Sequence, residues 1–365
     1  MQMLRCGIAA LSLAALVVAG TLQTSVASAA TVTAAAPALA YVANNQVAVI
    51  EAGNLTVAGT GQSPVWAPNA SSLMFDDPDL MSGTAAIFVA DQHGANTKVL
   101  VKSAYAFVNP TWSPDSNYVL YTEIAPKTKP KGQVIQLQVQ AIKVSSGAVK
   151  QLGTFSFTAG CALTSSALQD TFMHAQGSYH GVPSTLIWAE PNLVVVQSSC
   201  TGLGLTLFGV GGKQVQTLST WSGAVLSPNG KLIAANANGK VGIVTVASRA
   251  SKVLSFKFAP ASLAWASTSG MVFTVSQPSN PATGRVSVYN FTPDGKASLL
   301  LGTVAASGAF HLSINHLGDH LAMAVVANAS AKAESAPAVT VYDEQSLVIA
   351  TPLPMVLGME PAWRP

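Results

Sequence analysis

The sequence predicts an all-β fold: a seven-bladed β-propeller of four-stranded antiparallel blades, closed by pairing of the N- and C-terminal segments. Three observations predict it. A large apolar residue followed by a tight turn recurs along the chain, an apolar run of strand length follows most copies, and the two chain ends are complementary fragments of one repeat. Repeats of roughly 40–50 residues are typical of propellers, in which each repeat forms a four-stranded blade.

The repeat is clearest at Trp66 and Trp112, where Trp-Ala-Pro-Asn and Trp-Ser-Pro-Asp precede β-forming runs. We call the large apolar residue that opens each copy its anchor. Proline fixes φ in the turn after the anchor, and Asn, Asp or Gly tolerates a left-handed backbone there. The predicted anchors, which we expect to wedge between neighbouring blades, are Trp66, Trp112, Trp188, Leu226, Trp265, Ile314 and Trp363.

The anchor spacing and the chain ends both support a closed ring. All spacings but one fit a four-stranded blade, and the long interval between Trp112 and Trp188 is explained by one blade plus an insertion at 158–182. Residues 39–57 read as three short strands without an anchor, and 359–365 as an anchor without strands. Joining them removes an exposed sheet edge. The alternative is a β-sandwich array with accidental Trp-Pro pairs.

The N-terminus has the layout of a secretory signal peptide. Residues 1–29 contain a basic residue, a 13-residue apolar run and the small residues Ala-Ser-Ala. We expect this segment to be removed, although retention as an N-terminal anchor is the alternative. A disordered lead-in at 30–38 would follow, and 39–365 would form a single propeller domain. The mature chain would then be secreted or periplasmic, with no transmembrane segment.

The composition excludes several classes of protein. Of 365 residues, 49% are hydrophobic and 9% are charged, and the net charge is +3. This charge is too dilute for a nucleic-acid-binding protein, and the charged fraction is too low for a coiled coil. We expect a monomer without a cofactor.

The repeat also resembles a known family. Trp66-Ala67-Pro68-Asn69 and Trp112-Ser113-Pro114-Asp115, each followed by a β run, resemble the TolB-type, WD40-like propeller repeats of bacterial exported proteins. The resemblance covers about residues 39–365, is specific at these two copies and weakens at most others. It implies the propeller fold and a binding or scaffolding role. It implies no catalytic site, because this repeat family has no shared one.

The longest loops of the predicted propeller lie on one face. The loops between the second and third strands of a blade share a face with the blade-to-blade connections, which include the 158–182 insertion. The long examples are 76–83, 125–132, 277–284 and 327–337. Elaborated loops on a rigid scaffold commonly carry binding residues, so we predict that this face is the recognition surface. Neutral variation of loop length is the alternative.

Two small charge clusters fall on this predicted face. Asp76, Asp77 and Asp79 form an acidic cluster that could hold Ca²⁺ together with backbone carbonyls, although the spacing matches no EF-hand loop. Lys127, Lys129 and Lys131 form a basic loop in the next blade, suited to an anionic polymer or to the acidic loop. Solvated turns are the alternative in both cases, and no metal site is predicted.

The cysteines predict one disulfide. Cys6 lies in the signal segment, so the mature chain keeps Cys161 and Cys200, both on the predicted recognition face. Two cysteines in an exported protein favour a bridge.

The sequence favours binding over catalysis. It contains no nucleophile elbow, no His-Glu-x-x-His motif and no phosphate-binding glycine loop. His311, His316 and His320 suggest a metal site only if Asp319 or another blade contributes, so we interpret them as surface or turn residues. We therefore predict a non-enzymatic propeller that binds a protein, peptide or cell-envelope polymer through its loop-rich face. The alternative is a hydrolase or lyase acting on a small molecule at the central channel.

Overall fold

The polypeptide folds as a series of short antiparallel strands. The computed structural model describes residues 38–77, 85–103, 107–123, 134–158, 183–190, 193–198, 204–209, 211–266, 270–276, 284–306, 308–315, 320–326, 338–343, 356–357 and 359–364. Within these ranges the secondary structure is all β, and the strands form four-stranded sheets. Three strands open the described chain: β1 (Ala38–Ala43), β2 (Gln46–Glu51) and β3 (Asn54–Thr60).

The next strands form six blades, each built from four consecutive strands. Blade 1 contains β4 (Gln62–Trp66), β5 (Ser72–Asp77), β6 (Ala85–Asp91) and β7 (Lys98–Ser103). Blade 2 contains β8 (Phe107–Trp112), β9 (Tyr118–Glu123), β10 (Val134–Lys143) and β11 (Val149–Thr158). Blade 3 contains β12 (Pro183–Glu190), β13 (Leu193–Ser198), β14 (Leu205–Gly209) and β15 (Gln214–Leu218).

The second half of the chain repeats the pattern. Blade 4 contains β16 (Trp221–Leu226), β17 (Leu232–Ala237), β18 (Lys240–Thr245) and β19 (Ser251–Leu254). Blade 5 contains β20 (Ser262–Trp265), β21 (Val272–Ser276), β22 (Arg285–Phe291) and β23 (Ser298–Ala305). Blade 6 contains β24 (Gly308–Ile314), β25 (His320–Val326), β26 (Ala338–Asp343) and β27 (Val356–Leu357), and β28 (Met359–Trp363) follows it.

The prediction of a seven-bladed propeller needs a correction. Six four-stranded blades, not seven, are each formed by one continuous stretch of the described chain. The remaining sheet is a composite, which we call the closing blade, in the order β28-β1-β2-β3. Leu39 lies opposite Trp363 and Ala40 opposite Ala362 in its antiparallel ladder, as the complementary chain ends suggest. The last strand therefore supplies the first strand of the sheet that the N-terminus begins.

The first strand of every sheet lies on the inside of the ring. β4 contacts β8, β8 contacts β12, and the series continues through β16, β20 and β24 to β28, which contacts β4. The anchors stand on these inner strands, and Trp66, Trp112, Trp188, Ile314 and Trp363 are buried. Since each sheet presents one face to each neighbour, the core is divided into apolar clusters between adjacent blades.

The turn after the anchor is held by its own side chains. In blade 2, the Ser113 hydroxyl donates to the Asp115 carboxylate (2.5 Å) and accepts the backbone N–H of Tyr118 (2.9 Å). In blade 4, Ser227 and Asn229 form the same pair (2.9 Å). Short polar side chains that bond to nearby backbone stabilise tight turns, which explains the recurring Ser-Pro-Asp/Asn sequence.

The sequence predicted that the whole acidic cluster lies in a loop, but part of it lies in a strand. Asp76 and Asp77 belong to β5, where Asp76 pairs with Ile87 of β6 and is 3% exposed. The strand persists through both carboxylates because the β5–β6 ladder continues to the pair Asp77 and Ala86. Asp79 lies outside the described residues. Asp76 is therefore not part of a solvated acidic turn.

Candidate functional site: the central channel

The inner strands surround an axial channel. Two overlapping cavities of about 500 Å³ and 620 Å³ follow it. The first lies toward the beginnings of the inner strands and the second toward their ends, where the anchor turns begin. Residues that line both cavities are Val65, Thr111, Trp112, Val225, Leu226 and Leu312. This shared lining makes the two cavities one continuous channel.

The channel lining is mostly apolar. Indole rings, prolines and branched aliphatic side chains form its walls, and the polar contribution comes mainly from Ser63, Thr111, Ser227 and Ser313. Among the described lining residues, His311 is the one titratable side chain. Such a lining suits an apolar ligand segment, because concave sites bind by excluding water from apolar surface and use a few polar groups for orientation.

Backbone bulges shape the mouth of the channel. Ser63, Gly223 and His311 have left-handed φ values of 53°, 61° and 51°. Each lies three residues before an anchor, and the strand register shifts at each of these places. A β-bulge bends its strand and redirects side chains. Ser63 and His311 line the channel, and their unfavourable φ values mark the mouth as a candidate functional region.

Anchor tryptophans join neighbouring blades through their indole N–H groups. Trp112 donates from Nε1 to the Val65 carbonyl oxygen (3.0 Å), and Trp265 donates to Val225 (3.1 Å). Trp66 makes the corresponding bond to Ala362 in β28 (2.9 Å). In each case the acceptor is the residue just before the preceding anchor. The channel wall is thus hydrogen-bonded from blade to blade at these three junctions.

The junction between the closing blade and blade 1 also contains an ionic cluster. Arg364 Nη2 lies 2.6 Å from Glu51 Oε1, and Arg364 Nη1 donates to the Gln92 carbonyl (2.9 Å). His93 Nδ1 lies 2.6 Å from Glu51 Oε2. Burial opposes ionisation of Glu51, but the hydrogen bonds from His93 and Arg364 outweigh it and hold the pKa of this carboxyl below its ordinary value. This cluster links the closing blade to blade 1.

The structure leaves most of the predicted binding residues outside its described parts. Lys127, Lys129 and Lys131 lie there, as do Asp79, the insertion from residue 159 onward, Cys161, Cys200 and His316. Residues 1–37 also lie outside. The basic loop, the disulfide, the signal segment and the insertion as a recognition element therefore stay predictions.

Two of the three weighed histidines have described positions. His311 lines the channel, whereas His320 begins β25, with its ring centroid 6.4 Å from that of Trp363. His311 is exposed, as a surface residue is, and it also lines the channel. Its position three residues before Ile314 is the available sequence signal, because Ser63 and Gly223 hold the same position before their anchors.

Two further searches concern the described residues only. No group of three or more His, Cys, Asp or Glu side chains among them is arranged to hold a metal ion. Within the same residues, no helix is long and apolar enough to cross a membrane.

No protein-family model matches the sequence, and no curated protein sequence matches it. Similar solved structures include TolB from Acinetobacter baumannii, which is 13% identical over 90% of this chain and 67% of that chain, with a TM-score of 0.49. An oligogalacturonate lyase in complex with manganese is 10% identical over 80% of this chain and 81% of its own, with a TM-score of 0.54. The β-propeller domain of the trilobed protease from Pyrococcus furiosus is 12% identical over 84% and 91%, with a TM-score of 0.53.

At these identities the two likenesses with TM-scores above 0.5 show the fold alone. The lyase and protease neighbours therefore transfer no activity to this chain. The chain has the β-propeller fold, and structures of TolB proteins are among those similar to it.

Proposed function

We propose that this protein is an exported, non-enzymatic propeller that binds a protein or peptide segment at the mouth of its central channel. The observation that carries the proposal is the channel lining of indole, proline and aliphatic groups, with His311 as the one titratable side chain among the described lining residues. A cell-envelope polymer remains within the proposal only if it presents an apolar portion, since a charged polymer finds few partners in this lining.

The size and rigidity of the channel fit a polypeptide segment. Cavities of about 500 Å³ and 620 Å³ accommodate several apolar side chains. Full burial of one large apolar side chain contributes about 1.5–3 kcal/mol, so two or three of them supply useful affinity on a preformed surface. The hydrogen bonds from Trp66, Trp112 and Trp265 to the preceding blades keep this surface preorganised.

The proposed ligand enters from the loop-rich face. Ser63 and His311 lie near the beginnings of inner strands, which is the face that carries the blade-to-blade connections and the loops between second and third strands. The insertion at 158–182 and the basic loop of Lys127, Lys129 and Lys131 belong to this face in the predicted blade plan. We propose that they extend the recognition surface around the channel mouth.

A matched pair of variants tests the channel. Val65→Arg places a charge where both cavities meet, whereas Val57→Arg places the same charge on β3, where the valine is 53% exposed. Wild type and both variants are used to recover ligands from an envelope extract, which are identified by mass spectrometry. We expect ligands shared by wild type and Val57→Arg to be lost with Val65→Arg. Equal recovery by all three folded proteins contradicts the channel proposal.

A separate variant tests the insertion. Deletion of residues 162–182 should reduce recovery of the same ligands without removing the channel. Equal recovery from the deletion variant and wild type excludes the insertion from recognition while leaving the channel proposal intact.

The second candidate function is a hydrolase or lyase acting at the channel. His311 favours it, because residues held in strained backbone conformations are frequent at active sites. The test measures hydrolysis of nitrophenyl esters and cleavage of uronic-acid oligosaccharides by wild type and His311→Ala. Turnover by wild type that His311→Ala loses would replace the binding proposal with this one.

Export and the disulfide are proposed together. The layout of residues 1–29 supports export, and an oxidising compartment supports the Cys161–Cys200 bridge. N-terminal sequencing of the exported protein should find a start near Ala30. Thiol labelling of the same material should require a reductant, and two reactive thiols in the native protein would contradict the bridge.

A further inference from the structure

Besides the two cavities of the channel, a third cavity lies between blades 2 and 3. Its volume is about 290 Å³. It is lined by Ser113, Pro114, Asp115, Tyr118, Ala141, Lys150, Leu152 and Trp188. Trp188 also lines the channel, so its ring separates the two spaces. The cavity therefore sits directly against the wall of the channel but has its own set of side chains.

The residue that follows the anchor is much smaller at this junction than in the closing blade. The residue that follows an anchor is buried in the repeat, and in the closing blade it is Arg364, whose guanidinium carbon lies 6.0 Å from the centroid of the next anchor, Trp66. In blade 2 the corresponding residue is Ser113, and the next anchor is Trp188. A serine cannot fill the volume that an arginine occupies. Arg364 fills its junction from within, whereas the junction behind Ser113 keeps a cavity.

The Asp115 carboxylate, which lines this cavity, already has hydrogen-bond donors from its own turn. Asp115 accepts hydrogen bonds from the Ser113 hydroxyl, the Asn117 backbone N–H (3.1 Å) and the Asn117 amide (2.9 Å). Burial opposes its ionisation, but these bonds prevail and lower its pKa. Asp115 is therefore an internally bonded carboxylate and has little remaining need for a cationic ligand.

Two of the donors at this cavity, on Lys150 and Trp188, have no protein acceptor among the described residues. Within the described part of the chain, the Lys150 ammonium has no ion-pair or hydrogen-bond partner, and the buried Trp188 Nε1–H has none. Trp188 differs in this from Trp66, Trp112 and Trp265, whose indoles donate to the preceding blade. The buried Trp188 donor and the exposed Lys150 ammonium both line the cavity, and a ligand with acceptor oxygens would pair with both groups.

The aromatic and aliphatic residues that line the rest of the cavity favour a ligand with an apolar ring. The rings of Tyr118 and Trp188 lie 6.3 Å apart, and Leu152, Ala141 and Pro114 complete an apolar enclosure. The volume is at the lower end of small-molecule pockets, roughly 300–1,000 Å³, so it admits a single ring with a short substituent.

We propose that this inter-blade cavity binds a small aromatic carboxylate. The ring of the ligand packs among Tyr118, Trp188 and Leu152, and its carboxylate pairs with the Lys150 ammonium. The ligand would lie next to the anchor Trp188, as the Arg364 side chain lies next to the anchor Trp66. Binding here is independent of the polypeptide proposed for the channel, although Trp188 gives the two spaces a common wall.

Isothermal titration calorimetry with phenylacetate tests the site, with benzylamine and 2-phenylethanol as cationic and neutral ligands of similar shape. We expect saturable binding of phenylacetate and at least tenfold weaker binding of the other two. Lys150→Ala should weaken phenylacetate binding at least tenfold. Lys252→Ala is the matched control, because Lys252 is an exposed lysine on the outer strand β19 of blade 4, and it should bind as wild type does.

A second variant tests location. Ala141→Leu narrows the cavity from its apolar wall and should abolish phenylacetate binding, with circular dichroism confirming the fold. Lys150 is exposed, so Lys150→Ala keeps the experiment decisive if Ala141→Leu does not fold. Equal affinity for phenylacetate and benzylamine, binding unchanged by Lys150→Ala, or no saturable binding of phenylacetate at millimolar concentration overturns the proposal. None of these results bears on the channel variants.

Discussion

The guanidinium of Arg364 donates a 2.6 Å hydrogen bond to the carboxylate of Glu51, 313 positions earlier in the chain. The bond ties the segment after β28 to the end of β2, across the sheet that joins the two ends of the propeller. Arg364 is 8% exposed, and its guanidinium also faces the ring of Trp66 in blade 1. One side chain therefore connects the C-terminus, the N-terminal strands and the first continuous blade.

Arg364→Ala should lower the free energy of unfolding by about 2–4 kcal/mol, because it leaves the partly buried Glu51 carboxylate without its main cationic partner. Urea unfolding followed by circular dichroism measures the effect. Lys231→Ala, which removes an exposed cation from the turn after β16, should change stability by less than about 0.5 kcal/mol. Equal effects of the two variants would show that the cluster does not stabilise ring closure.

The free energy of unfolding should decrease at acidic pH because the Glu51 carboxylate becomes protonated. Its pKa in the folded protein lies below the ordinary value of 4.5, so the ionised form stabilises the fold above that pH. This contribution is lost as the pH falls from 4.5 through the lowered folded-state pKa. Glu51→Gln should be less stable than wild type at pH 6, and the difference should shrink toward pH 3. Asp91 and Asp115, whose pKa values are also lowered, act equally in both proteins.

A constant difference between wild type and Glu51→Gln from pH 6 to pH 3 would contradict this assignment. Urea unfolding at several pH values gives the required comparison. The difference between the two proteins isolates Glu51 from the other carboxylates of the fold.

Trp112→Phe should destabilise the protein more than Trp188→Phe. Both anchors are buried, at 5% and 9% exposure, so each substitution loses similar apolar surface. Only Trp112 loses a described hydrogen bond, to the Val65 carbonyl, which costs about 1 kcal/mol more. Thermal and urea unfolding of the two variants measures the difference. A larger loss for Trp188→Phe would show that the indole bond contributes nothing to cohesion between blades.

At the left-handed position of the bulge before an anchor, replacing glycine with a residue that has a side chain should lower the stability of the protein. Gly223 has φ 61°, and a Cβ there would meet open space, so Gly223→Ala tests the backbone alone. We expect a loss of about 1 kcal/mol. Ser222→Ala, at the exposed neighbouring position, should lie within about 0.5 kcal/mol of wild type.

The same geometry predicts the same preference for glycine at His311. Its φ of 51° is unfavourable for a side chain, so His311→Gly should be more stable than His311→Ala by about 1 kcal/mol. Urea unfolding of the two variants provides the comparison. Equal stabilities would mean that the bulge relaxes when the histidine is removed.

The repeat could be predicted because its information is local. A large apolar anchor, a proline turn and an apolar run fix the first two strands of each blade, and Trp66 and Trp112 show all three. Element bounds were less predictable: Asp76 looked like a loop residue, yet the β5–β6 ladder extends through it. Carboxylates carry no local signal that distinguishes a strand end from a turn when the neighbouring strand supplies the pairing.

Short-range patterns that recur along the chain predicted the all-β class, the positions of the anchors and the pairing of the two chain ends. The contacts between side chains of different blades could not be predicted in this way. Glu51 and Arg364, Tyr118 and Trp188, and the lining of the channel come from different repeats. Their contacts depend on the orientation and spacing of whole blades, which no single repeat encodes.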